Sequence, residues 1–206
     1  MLAQVLKSSR SDYLKKCREH LSLLIGLLFF SILIDLCRDL FNTSDMEKFL
    51  FGLFEVIGSC VFYALILGRL LGLQKFNFLN FFVYLRVNIL YSLFYLLGAL
   101  VLIIPGLYIL TFFYFAPILA LEGVECESYF SKSREMTKKS PWSVLAVSLS
   151  LVFLMILDLL FLGYVKEAAL SGELELIVLV GFNALIVAFD LFFFLVSIEL
   201  YKKLRA

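Results

Sequence analysis

Histidine, tryptophan and proline are scarce: the 206 residues hold one His, one Trp and three Pro. His20 is the only imidazole, and Cys17, Cys37, Cys60 and Cys126 are scattered without a CxxC pair. No zinc-type ligand spacing exists, and no disulfide framework is expected. There is no Gly-rich phosphate loop, no GxSxG and no HExxH. The chain is therefore expected to be no enzyme and to hold no cofactor or metal. Charge is scarce as well. Asp, Glu, Lys and Arg make up 17%, and 18 basic against 17 acidic residues leave +1. Without a basic excess the phosphate backbone of a nucleic acid is not an expected partner.

Apolar residues fill the space so vacated. They form 63% of the chain, with 23 Phe and 10 Tyr, and the mean hydropathy is +1.00. A soluble domain is about 45–50% apolar and about 25% charged. The composition reads as an all-α, polytopic membrane helix bundle in one domain, residues 1–206. Residues 1–20 are polar and interfacial, 21–121 hold four spans, 122–141 form a cytoplasmic amphipathic segment, and 142–206 hold two spans and a basic tail. No small-residue cleavage site follows the first apolar run, so that run is expected to stay in the membrane.

A bilayer core about 30 Å thick needs roughly 20 apolar residues per helix. The runs Leu21–Leu40, Phe49–Leu71, 78–103, 106–121, Trp142–Tyr164 and Leu174–Leu200 give about six spans. The stretch from Phe78 to Leu121 is too long for one crossing, and Pro105-Gly106 reads as its turn. The alternative is a re-entrant segment over 98–117 bent at Gly98. Fourteen of the eighteen Lys and Arg fall before span one, in loops two–three and four–five, and in the tail. Cytoplasmic loops carry such an excess, so both termini are expected in the cytoplasm.

Two basic segments, about 3–18 and 127–139, precede spans one and five. Both contain Ser-Arg followed by a Lys-Lys pair, and Ile34-Asp35-Leu36 echoes Leu157-Asp158-Leu159. They read either as two short amphipathic interfacial helices of a parallel internal repeat, which would bind anionic lipid or a partner, or as solvated topology signals. Leu2, Val5, Leu6, Tyr129, Phe130 and Met136 would supply their apolar contacts.

Ionisable groups at membrane depth usually face the bundle interior. Asp35, Glu55, Asp158 and Asn183 would form an outer polar layer, either a cation or proton site or a set of interhelical bonds. Arg86 and Asp190 fall at similar depth. They read as a pair with Asn88 or Tyr84 nearby, the alternative being Arg86 snorkelling to the interface. Glu122, Glu125 and Glu127 are either a hard-cation cluster or a solvated face.

Ile104-Pro105-Gly106-Leu107-Tyr108, then Ala116-Pro117, Leu121-Glu122-Gly123, Ser131–Ser133 and Trp142, with the closing Leu200-Tyr201-Lys202-Lys203-Leu204-Arg205, resemble the YciC-like bacterial inner-membrane family. That family is similar to the membrane domain fused to some glycerophosphodiester phosphodiesterases. Ser133-Arg134 stands where the family often has Ser-Trp. The resemblance implies a six-span inner-membrane protein. It marks Pro105, Gly106, Pro117, Glu122, Gly123, Ser133 and Tyr201 as motif positions, with Glu122 structural, fixing a helix end or pairing with Arg134. No phosphodiesterase domain is present, so that activity does not carry over. The leading reading is a non-enzymatic membrane protein acting through membrane lipids, anionic ones in particular, or a membrane-protein partner. The alternative is a small transporter or channel component using the buried acids.

Overall fold

The computed structural model describes residues 2–40, 45–73, 77–101, 103–167 and 172–205, and these are helical apart from short turns and loops. The elements are α1 (Leu2–Glu19), α2 (Leu21–Leu40), α3 (Asp45–Leu71), α4 (Phe78–Val101), α5 (Ile103–Phe112), α6 (Ala116–Glu122), α7 (Tyr129–Thr137), α8 (Pro141–Glu167) and α9 (Gly172–Arg205). The protein is an all-α bundle. Apolar runs with no water to satisfy their backbone must close their hydrogen bonds within each segment, which is what helices do.

Three stretches of the described residues are long and apolar enough to cross a membrane: Phe78–Leu100, Ile103–Glu122 and Val180–Arg205. α7 and the first part of α8 meet the same criterion only when taken together, and they are bent through 113° against each other. Large apolar side chains stand exposed in rows on α2 (Leu21, Ile25, Phe29, Leu33), on α4 (Phe78, Phe82, Ile89, Leu93) and on α8 (Trp142, Phe153, Leu160). Rows of this size are unusual on a soluble monomer and suit a lipid-facing perimeter.

The expected turn at Pro105-Gly106 is not where the chain reverses. α4 runs helical through Gly98 to Val101, and α5 starts at Ile103, so Pro105 lies in its first turn. There the missing N–H of proline is no loss and its fixed φ favours the helix. Gly106 serves close approach instead. A Cβ on it would lie 3.0 Å from Ala99 Cα, and a Cβ on Gly98 3.0 Å from Gly106 N. α5 and α6 then return along α4. Tyr91 Oη donates to the Leu110 carbonyl at 3.4 Å, and Gly123, just past α6, abuts Asn80 near the start of α4. The return reaches the level from which α4 began, which replaces the re-entrant alternative with a full hairpin. Pro117 is the second residue of α6, not a residue inside a continuous helix.

α9 is the central strut, with α1, α2, α3, α7 and α8 packed on it. Val196, Leu200, Tyr201 and Leu204 are buried among Val5 of α1, Phe115, Ile118 and Leu119 around α6, Met136 of α7, and Val144 and Val147 of α8. The two basic segments are helical as expected, and each leads almost at once into a long apolar helix. Their apolar faces, however, turn to the protein. Val5 and Met136 are buried, Phe130 packs on Phe94 and Phe113, and Leu6 is exposed instead of anchoring α1.

Between α1 and α2, His20 is buried, and its two ring nitrogens have no hydrogen-bond partner among the described residues. Burial disfavours the imidazolium, and Lys16 and Arg69 add to that against the opposing pull of Glu19, so its pKa lies below 6.5. Stability is then expected to be fully present above pH 6.5. It should fall as the pH drops from 6.5 to the lowered folded value, because there the unfolded chain takes up a proton that the folded chain refuses. Denaturation in detergent across that window should show the decline, and His20→Gln should flatten it. The lowered pKa of Glu19, caused mainly by its bond with Lys16, takes effect only as the pH falls below 4.5. An unchanged slope in His20→Gln would contradict the assignment.

Candidate functional site

Five of the seven motif positions, Pro117, Glu122, Gly123, Ser133 and Tyr201, gather where α5, α6, α7 and α9 meet, whereas Pro105 and Gly106 lie at the opposite end of α5, against α4. The junction starts from the break at residues 113–115, which leaves a carbonyl and an N–H without helical partners. Ser133, fully buried on α7, satisfies both. Its hydroxyl donates to the Phe112 carbonyl at 2.9 Å and accepts from the Phe115 N–H at 3.1 Å. Only a small side chain with both donor and acceptor capacity fits this role. α7 itself begins at Ser128, whose hydroxyl accepts from the Ser131 N–H. Phe115, held in the break, packs on the ring of Tyr201 at a centroid distance of 5.7 Å.

α6 ends at Glu122, and Gly123 stops it in a left-handed conformation, φ 73°, with its N–H on the Ala120 carbonyl. An L side chain at that φ is strained, which is why glycine stands there. A carboxylate at a helix C-terminus faces the negative end of the dipole and needs donors. Glu122 finds them on α9. Tyr201 Oη donates to one carboxylate oxygen and Arg205 Nη1 to the other. Arg205 also meets the Tyr201 oxygen at 3.5 Å. Tyr201 is fully buried, while the Glu122 and Arg205 side chains are 24% and 47% exposed. Lys139 closes the same end, its ammonium donating to the Leu204 carbonyl at 2.8 Å. With both oxygens of Glu122 engaged, the arrangement acts as a lock between α6 and the last turn of α9.

The expected pairing of Glu122 with Arg134 is replaced by this contact. The Arg134 guanidinium lies instead over the Tyr108 ring, 5.9 Å from its centroid. Glu125 and Glu127 are exposed beyond the lock.

Arg86 and Asp190 are not brought together. Tyr63 Oη of α3 donates to Asp190 at 3.1 Å, and Tyr63 and Phe194 rings pack at 5.3 Å. Arg86 is exposed, at a shallow hollow lined by Phe82, Leu85, Ile89 and Leu90. α4 packs on α5 and α6, and α3 lies against both α4 and α9. Similar depth placed the two residues at one level but on different sides of the bundle. Asn88 reaches Cys60 at 3.9 Å, and Asn183 is half-buried on α9. The side chains of Asp35, Glu55 and Asp158 lie outside the described residues, and so does the expected outer polar layer.

Arg205 was not singled out in the sequence, although its spacing of four from Tyr201 puts both on one helix face. The Tyr114–Ser197 hydroxyl contact at 2.6 Å, which pins the α5–α6 break to α9, carries no sequence signal. No family model matches the chain, and no curated protein or solved structure is significantly similar to it.

Proposed function

We propose that the chain is a six-span protein of the bacterial inner membrane, with both termini cytoplasmic, of the YciC-like group. It works without catalysis, through contacts with anionic lipid or with a membrane-protein partner. The observation that carries this reading is the contrast between its polar groups and its cations. Asp190, Asn88, Ser133 and Glu122 are engaged in contacts between helices. Arg10 and Arg86 stand exposed beside apolar side chains, with no ion pair or hydrogen bond among the described residues. An exposed guanidinium beside apolar side chains calls for a counter-charge, which an anionic phospholipid supplies. The gathering of Glu122, Gly123, Ser133 and Tyr201 at the junction of α6, α7 and α9 supports the family reading, because most of the residues matched as a motif then share one structural neighbourhood.

Affinity purification from native membranes in mild detergent tests the reading. Anionic phospholipid is expected at a higher share than in the bulk membrane, or one protein partner in fixed ratio. Lipid in bulk proportions with no partner would overturn it, and solute uptake by proteoliposomes would favour the carrier alternative.

A further inference from the structure

α1 and α9 do not close against each other along their whole contact. Tyr13 Oη of α1 donates to the Ala188 carbonyl of α9 at 2.6 Å, and its ring packs edge-on against Phe192 at 5.6 Å. Beside this tether lies an open groove of about 450 Å³, lined by Arg10, Tyr13, Leu185, Ala188, Phe189 and Phe192. That volume falls within the roughly 300–1,000 Å³ of pockets that hold small ligands. The lining surface is wholly apolar: Arg10 contributes its aliphatic stem, with the guanidinium beyond the rim, and the Tyr13 hydroxyl is engaged with Ala188. Leu185 and Phe189 are 53% and 45% exposed, so the groove opens toward the same surroundings as the lipid-facing rows. Arg10 is exposed and has no ion pair or hydrogen bond among the described residues.

We propose that this groove is a binding site for an anionic phospholipid, with one acyl chain against Leu185, Ala188, Phe189 and Phe192 and the headgroup phosphate on Arg10. The proposal rests on the lipid-contact reading above and gives it a place. The occupant follows from charge and shape together. A guanidinium beside exposed apolar side chains calls for a counter-charge, and its planar fork of donors matches phosphate oxygens. The apolar floor beneath it excludes a free anion as the whole ligand. A second protein chain would have to bring both an acid and an apolar face, whereas a phospholipid carries the two in one molecule.

The single native tryptophan makes a direct test practicable. In a Trp142→Phe background, Leu185→Trp reports on the groove and Leu160→Trp on the exposed face of α8. Each full-length variant is reconstituted in phosphatidylcholine bilayers doped with phosphatidylglycerol or phosphatidylcholine brominated on the acyl chains. At the groove, brominated phosphatidylglycerol is expected to quench with about fivefold higher apparent affinity, the factor that one cationic contact near the surface supplies. At the α8 position the two lipids should quench alike. Arg10→Ala should remove the preference at the groove, and Arg10→Lys should restore part of it. Equal quenching by both lipids at the groove, a preference that survives Arg10→Ala, or no quenching there because another chain fills it, would each overturn the site. A phosphatidylglycerol preference of equal size at both positions would overturn the site while leaving the lipid-contact reading intact.

Discussion

Tyr201→Ala is expected to destabilise the protein by about 3–5 kcal/mol, the usual range for truncating a buried aromatic residue. Tyr201 is fully buried. Its ring meets Phe115 in the α5–α6 break, and its hydroxyl meets Glu122 at the end of α6. Truncation therefore opens a cavity where α6 and α9 meet and leaves a carboxylate short of one donor. Two milder variants separate these effects. Tyr201→Phe keeps the packing and loses only the hydroxyl, so its loss should be about 1–2 kcal/mol, at the low end for bonds to a charged group because Glu122 is partly exposed. Glu122→Gln should cost a similar amount, and Tyr201→Phe combined with Glu122→Gln less than the sum, since both act on the Tyr201–Glu122 contact. Unfolding in mixed micelles measures all of these. If Tyr201→Phe proved as damaging as Tyr201→Ala, the hydroxyl rather than the packing would hold the junction.

Much of this lock was legible in the chain, and its wiring was not. Gly123 after an apolar run ending in Glu122 is a helix stop on chemical grounds alone. Tyr201 and Arg205 share a face through their spacing. The resemblance implied that Glu122 fixes a helix end or pairs with Arg134, whereas its actual ionic partner, Arg205, is 83 residues away. The same limit explains Arg86 and Asp190. Counting residues along a helix fixes depth at about 1.5 Å per residue. It does not fix which way round the bundle a side chain faces, and that depends on neighbours the sequence does not name. The helical class and the two short basic helices were legible because long apolar runs and amphipathic patterning are local properties. That α1 and α7 bury their apolar faces against α9 is a tertiary outcome.

Pro105-Gly106 shows how one dipeptide supports opposite readings. As a turn it would have needed a positive φ or a chain reversal. As the start of α5 it needs only a proline in the first turn and a residue without a side chain on the face toward α4. The second use makes a sharp prediction. Gly106→Val is expected to cost about 3 kcal/mol, near the top of the ordinary range for overpacking. The first added carbon already lies 3.0 Å from Ala99 N and Cα, and backbone atoms cannot rotate aside as a side-chain tip can. Helices in lipid gain their association from close packing of small residues, so separating α4 from α5 sacrifices that contact along the hairpin. Gly106→Ala should lie between wild type and valine. Gly181 of α9 supplies the control, because a Cβ there meets nothing within 4 Å. Gly181→Ala should be neutral or stabilising by up to roughly 1 kcal/mol, the ordinary helix gain of alanine over glycine. Opposite signs for one chemical change at two helical glycines would locate the close approach at Gly106. Equal effects at both positions would mean that α4 and α5 are not in backbone contact there, and the hairpin geometry would have to be redrawn.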